Sequence, residues 1–116
     1  MAACIDAIGL VGQRAAIQGY GSMCAWISQL LLDYLDSVAP PVRHAAAVGL
    51  QYIANVSEVQ DQAALLLPKL VAACDDRSVV MDHCARAPAT DAVAALVGGG
   101  RARSLLKQLV AARYTA

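Results

Sequence analysis

A chain of 116 residues is one domain at most, with room for a modest core. Nine basic and nine acidic residues give a formal charge of +0. That argues against a dedicated binder of nucleic acid or acidic lipid, whose usual footprint is a basic excess. Apolar residues make up 59% of the chain and charged residues only 16%, with a mean hydropathy of +0.51. One Trp, four Tyr and no Phe leave the core to Leu, Val, Ile and Ala. Side chains this small bury little area each, at roughly 25 cal/mol per Å². Such a fold needs many helix contacts, and a neighbour is expected.

Ala2 to about Gln18 reads as the first helix, with Ile5, Ile8, Val11 and Ala15 near helical spacing. Gly19-Tyr20-Gly21 stops it, and Ser22 is the expected N-cap of the next. That helix, Met23 to Asp36, carries Ile27, Leu30, Leu31, Tyr34 and Leu35 at i, i+3, i+4, i+7 and i+8. Ser28, Gln29, Asp33 and Asp36 fall largely on its other side, and Trp26 flanks the inner stripe, so core packing is expected for it. Pro41 suits a first helical turn, where its missing N–H has no consequence. The helix it opens runs to about Asn55, with Val42, Ala45, Ala46, Gly49, Leu50 and Ile53 inward.

Ser57-Glu58-Val59-Gln60 resembles a capping box. The helix it starts is expected to reach Cys74, kinked at Pro68. Asp75-Asp76-Arg77 is a turn, and Ser78 caps a shorter helix to about Arg86. Ala87-Pro88 breaks that helix, and Thr90 is positioned to cap a further piece to Val97. Gly98-Gly99-Gly100 is a joint before a last helix, about Ala102 to Arg113, with Leu105, Leu106, Leu109 and Val110 on one face. No strand pattern or hairpin turn is present.

Cys4, Cys24, Cys74 and Cys84 have no tight spacing and lie in apolar segments. A reduced, intracellular setting, cytoplasmic or nuclear, fits them better than a disulfide framework. Asp6 interrupts the first apolar run and no basic residue precedes it, so no signal peptide is expected. Gln29, Asp33 and Asp36 interrupt the run from Met23, and Leu65 to Cys74 is short and holds Lys69, so no membrane span or membrane partner is expected.

Ala7-Ile8-Gly9-Leu10 recurs 40 residues later as Ala47-Val48-Gly49-Leu50. A period near 40 in an Ala-rich helical chain reads as a solenoid of helix pairs. Glycine costs about 1 kcal/mol of helix propensity relative to Ala, so Gly9 and Gly49 are expected where another helix approaches closely. Leu30 to Asp36, then Pro41-Val42-Arg43, then Ala45 to Leu50, resemble a HEAT repeat of the armadillo-like helical superfamily. Leu66-Leu67-Pro68-Lys69-Leu70 and Asp75-Asp76 resemble the kinked first helix and acidic turn of a following unit, although Met81 stands where the second helix usually carries Arg.

The resemblance implies an all-α, right-handed helical-hairpin solenoid of about five to seven helices and about two and a half repeats. Residues 1–97 would form the repeats, and 98–116 a glycine joint with an amphipathic helix packed on the last one. Ala3 to Gly12 would be a second helix without its first, its inner face lacking a partner within the chain. The chain is then expected to belong to a longer solenoid or to dock on another helical surface, with self-association through exposed terminal helices as a further route.

The function expected is a non-enzymatic protein–protein interaction scaffold or adaptor, needing no cofactor and no metal. Its contacts would come from Arg43, His44, Gln51, Asp82 and His83 on the outward side of second helices. In the family an Arg at position 43 pairs with turn acids, for which Asp36 is the local candidate. The alternative is a small all-α chaperone or assembly subunit that shields an apolar partner helix, which the high hydropathy favours. No motif joins a nucleophile, a base and an orienting group.

Cys74, Asp75, Asp76, Asp82, His83 and Cys84 are dense in metal-binding types but lack close ligand pairs. They read as thiols flanking an acidic turn. Arg101 and Arg103 after the glycine run offer an anion contact at a helix start. The competing reading is a flexible joint and a solvated basic face continued by Lys107 and Arg113, since no phosphate-loop motif is present.

Overall fold

The structure, a computed structural model, describes residues 2–75, 85–98 and 103–114. Among them are seven helices and no strand: α1 (Ala2–Ile17), α2 (Gly21–Tyr34), α3 (Pro40–Ile53), α4 (Ser57–Gln60), α5 (Ala63–Ala73), α6 (Arg86–Val97) and α7 (Arg103–Tyr114). The chain is therefore all-α, as its composition and periodicity predict.

Glycine chemistry ends α1. Gly19 has φ +91°, a conformation that a residue with a Cβ rarely adopts. It lets the Tyr20 N–H reach back to the Ala15 carbonyl at 2.8 Å and the Gly19 N–H to Ala16 at 3.1 Å, the paired bonds of a Schellman ending. Helix α3 opens with Pro40 and Pro41 in its first two positions and extended Ala39 before them. Those positions have no intrahelical use for an N–H.

Several boundaries differ from expectation. Helix α2 starts at Gly21, one residue before Ser22, with Tyr20 in the cap position and no side-chain cap hydrogen bond. The Ser57 segment is a separate four-residue helix, α4, and Val56 rather than Ser57 precedes it. Asp61 and Gln62 divide it from α5, so no continuous helix runs to Cys74, and Pro68 lies inside α5. Helix α6 runs through Pro88, which is its third residue, where a missing N–H again costs nothing. Thr90 is consequently interior, not a cap, and its hydroxyl donates to the Arg86 carbonyl at 2.8 Å. The Ser78 cap, the helix it begins and Met81 lie outside the described residues.

The helices form two rows. Helix α3 packs on α1 and α6, while α2 packs on α4 and α5, and α5 on α7. The pairs α1–α2, α2–α3 and α5–α6 join the rows. The shortest dimension, 17 Å, is that of two helix layers about 8–10 Å apart. The core lies between them, with Ile27, Leu31, Leu50, Ile53, Leu66, Leu67, Leu70 and Leu96 almost wholly buried. Leu105, Leu106 and Leu109 of α7 pack against it from one end.

The inner stripe of α3 matches expectation, with Ala45, Ala46, Gly49, Leu50 and Ile53 buried and Val42 packed against the core. The stripe of α2 is turned. Cys24, Ile27, Ser28, Leu31, Leu32 and Leu35 are buried, whereas Leu30 and Tyr34 are half-exposed. The cause is the company α2 keeps: α1 meets Cys24 and Ile27 at Gly12, and α3, α4 and α5 also pack on α2. Ser28 satisfies its buried hydroxyl by donating to the Ala25 carbonyl at 2.7 Å.

Helix α1 is not short of partners on its inner face. Gly9, Gly12 and Ala15 are buried, and α1 packs on both α2 and α3. At Gly9 the two copies of the recurring tetrapeptide meet. A methyl group there would lie 2.6 Å from the Gly49 carbonyl oxygen and 2.9 Å from its carbonyl carbon. Only hydrogen fits between these backbones. At Gly12 a methyl would stand 3.1 Å from Ile53 Cγ2 and 3.3 Å from Ile27 Cδ1. What α1 leaves outside is its opposite side, where Val11, expected inward, is 58% exposed.

Candidate interaction surface

On α3 the residues opposite the core are His44, Val48, Gln51 and Tyr52, all half-buried. Their spacing, i, i+4, i+7 and i+8, puts them on one stripe. Both neighbouring helices tie into it. Gln51 Nε2 donates to Asp91 Oδ2 of α6 at 3.4 Å, and Gln13 Nε2 of α1 donates to the Tyr52 carbonyl at 3.3 Å. The outer side of the α1–α3–α6 row is thus a continuous surface of an imidazole, two amides, a phenol and a carboxylate. Such a set recognises a partner by hydrogen bonds around aliphatic contacts.

Of the residues expected to bind, His44 and Gln51 share this stripe. Arg43 does not. It sits about 100° around the helix from His44 and lines a cleft of about 320 Å³ with Leu35, Asp36 and Lys69. Its Nη1 donates to the Ser37 carbonyl at 3.0 Å, which ties α3 to the connection before it. Asp36, the acid expected to serve Arg43, pairs with Lys69 Nζ of α5 at 2.5 Å. Asp82, His83 and Arg101 lie outside the described residues. Arg103 is exposed in the first turn of α7, followed by exposed Lys107.

The thiol and acid set is described only in part. Cys74 and Asp75 are half-buried, and Cys74 Sγ lies 3.6 Å from the Thr90 hydroxyl oxygen. Asp76, Asp82, His83 and Cys84 fall outside the described residues. Cys24 and Cys74 are free thiols. Among the described residues no group of three or more His, Cys, Asp or Glu is placed to hold a metal, and no helix is long and apolar enough to cross a membrane.

Two features escaped the sequence reading. The first is Glu58. Its carboxylate lies against Gly21 at the start of α2, where a methyl would stand 2.5 Å from Cδ. A negative charge there complements the partial positive charge of the helix N-terminus. Glu58 also lines a cleft of about 450 Å³ with Gln13, Ile17, Asn55 and Ser57. Burial pushes the nearby Cys24 thiol above its usual range, the Glu58 charge adds to this, and a backbone hydrogen bond at Ala16 opposes it. The thiol donates to the Gly12 carbonyl at 2.9 Å. The only signal in the sequence was that Glu58 is the sole Glu.

The second is the exposure of large apolar side chains on α1, on α2 and in the turn between them. Trp26, expected in the core, is 65% exposed, and Tyr20, Met23, Leu10 and Ile17 are exposed as well. Its signal was the phase of α2, where Trp26 lies at the edge of the apolar stripe.

Compared with protein-family models, curated protein sequences and solved structures, the chain has no match in any of the three, so its function is argued from its own geometry.

Proposed function

We propose that this chain is a non-enzymatic protein–protein interaction scaffold, built as a right-handed HEAT-like solenoid of helical hairpins and working within a larger complex. The observation that carries the reading is the crossing of α1 and α3 at Gly9 and Gly49. Equivalent positions of a sequence recurrence touch each other, as expected when corresponding helices of successive repeats stack. The two-row arrangement supports it, because each row is then one helix type of the repeat. The binding surface is the outer side of α3 with its neighbours, centred on His44 and Gln51.

The test is affinity purification of the tagged chain from its source cells, followed by reconstitution with the purified partner. The expected result is a stoichiometric complex that Gln51→Arg with His44→Glu weakens at least tenfold while helicity and melting temperature hold. Arg43→Glu serves as the structural comparison, because Arg43 anchors the connection before α3. A partner whose affinity ignores the His44–Gln51 stripe overturns the surface assignment, and a catalytic turnover by the purified chain overturns the scaffold reading.

A further inference from the structure

The cleft that Glu58 lines is built from distant parts of the chain. Ala16 and Ile17 end α1, Gly19 and Gly21 belong to the reversal into α2, and Asn55 to Glu58 lead from α3 into α4. Its volume of about 450 Å³ falls within the usual range of small-ligand sites, about 300–1,000 Å³.

The polar side chains lining it have unused acceptors. Gln13 directs its Nε2 to the Tyr52 carbonyl, which leaves its amide oxygen. Among the described residues, Asn55 and Ser57 make no side-chain hydrogen bond, and Glu58 makes neither hydrogen bond nor ion pair. No Lys or Arg is among the described residues that line the cleft. The two helix ends at its edge offset each other, since the finish of α1 and the start of α2 carry about half a charge each, of opposite sign. The full charge of the Glu58 carboxylate is left over, on an exposed side chain that a ligand reaches from solvent.

We propose that this cleft receives an arginine side chain of a partner protein, its guanidinium paired with Glu58 and hydrogen-bonded to Gln13, Asn55 and Ser57. A divalent metal is a poor match, because calcium takes about six to eight oxygen ligands, carboxylates prominent among them. The described residues group no three acids, thiols or imidazoles. A guanidinium carries more donors than an ammonium, in a planar fork that meets a carboxylate twice, and it is more weakly hydrated. Ala16, Ile17 and Val56 supply an apolar wall for the aliphatic stem. Arginine is also enriched at protein interfaces, where lysine is depleted.

Gly21 acts as a positioning residue. A methyl group there would stand 2.6 Å from Glu58 Oε1 and 2.5 Å from Cδ, so the carboxylate rests where any side chain at 21 would lie. The cleft adjoins the α3 stripe, because Gln13 bonds to Tyr52 and Asn55 follows the end of α3. The inference rests on the scaffold reading for the source of the arginine only. A small probe tests the cleft whether or not the chain is a scaffold.

The experiment is an amide-resolved NMR titration of the whole chain with N-acetyl-arginine amide at low ionic strength. A range of about 0.1 to about 50 mM brackets the millimolar affinity expected of one side chain. The expected result is a saturable set of shifts confined to Gln13, Gly19, Gly21, Asn55, Ser57 and Glu58. N-acetyl-citrulline amide, which keeps the shape without the charge, N-acetyl-lysine amide and spermidine each bind at least about fivefold more weakly.

Glu58→Gln and Gly21→Ala each weaken the arginine probe at least about fivefold with the melting temperature kept. The first keeps the side-chain size, and the second displaces only the end of a flexible side chain. Asp33→Asn, at an exposed acid elsewhere on α2, and Gln51→Arg bind the probe as the parent does. In the reconstituted complex Glu58→Gln weakens the partner at least about tenfold.

Absent shifts, shifts that survive Glu58→Gln or Gly21→Ala, or equal binding of the citrulline probe overturn the site. Equal binding of the lysine probe overturns the choice of a guanidinium. Tighter binding of spermidine assigns the cleft to a free polyamine and overturns the protein source. A complex that Gln51→Arg with His44→Glu disrupts but Glu58→Gln does not overturns this inference and leaves the scaffold reading standing.

Discussion

Helix α3 has a neighbour on each side within its row, and the two are joined to it by different chemistry. Against α1 the meeting point is backbone on backbone, Gly9 on Gly49. Against α6 the seam is made of side chains: buried Ala89 and Ala92 on one helix, buried Ala47 on the other, and the Gln51–Asp91 hydrogen bond at the rim. Both seams use small residues, so composition does not distinguish them. The distinction lies in tolerance. A methyl-lined seam has neighbours that shift by tenths of an ångström, whereas a backbone has no rotamer to change.

The largest expected effect tests the α1 seam. Gly9→Leu drives a side chain into the Gly49 backbone and should cost more than about 4 kcal/mol, leaving α1 undocked. Gly9→Ala sharpens the point, because Ala gains about 1 kcal/mol of helix propensity against about 3 kcal/mol of overpacking. A net loss of about 2 kcal/mol in denaturant titration is expected, and an unchanged midpoint would sink the close crossing. Gly49→Leu, on the facing helix, should behave like Gly9→Leu.

On the α6 seam, Ala92→Leu should cost less, about 1–3 kcal/mol, because helices lined by methyl groups have side chains to rearrange. If it proves as damaging as Gly9→Leu, the two seams are not different in kind. Next comes pH, which probes the α1 side through Cys24. Its folded thiol ionises above the ordinary value of 9.0. Below about pH 8 both states are protonated and the group contributes no slope. Above it the unfolded chain loses its proton first, so stability falls by up to about 1.4 kcal/mol per pH unit until the folded thiol follows. Comparing melting temperatures of the parent and Cys24→Ala from pH 8 to 10.5 should show the excess slope only in the parent.

The smallest effect belongs to the α6 rim. Gln51→Leu removes an exposed hydrogen bond of 3.4 Å and should shift stability by less than about 0.5 kcal/mol. A loss above about 1 kcal/mol would mean that the seam depends on its polar rim.

What was legible in the sequence was whatever neighbouring residues decide together. Helical type throughout, the inward stripe of α3 and the close approach at Gly9 and Gly49 follow from periodicity and from the cost of helical glycine. Helix starts were less legible. Ser22, Ser57 and Thr90 all look like caps, and none of them caps a helix. At α2 the negative group comes instead from Glu58, which follows Gly21 by a whole hairpin. No local pattern encodes such an arrangement. The side on which α2 is buried was hidden for the same reason: α1, α3, α4 and α5 decide it together, and the stripe in α2 alone is wide enough for either orientation. Trp26 fell at the boundary of that stripe and emerged outside. Of the binding stripe, His44 and Gln51 were accessible from helical spacing, but the link from Gln51 to Asp91 needed the tertiary fold.

The Schellman ending of α1 has an implication for how the first hairpin comes together. Tyr20 closes the last turn of α1 with its backbone and, one residue later, α2 is already under way. The reversal therefore has almost no slack: Gln18, Gly19 and Tyr20 are its whole length. Docking α1 to α2 closes a loop so short that its entropic cost is small, and the elements meet at a high local concentration. Gly19 sets the direction in which the chain turns back. A residue there that resists positive φ would send α2 out along another line, and the Gly9–Gly49 seam, 40 residues apart in the chain, would lose the alignment on which it depends.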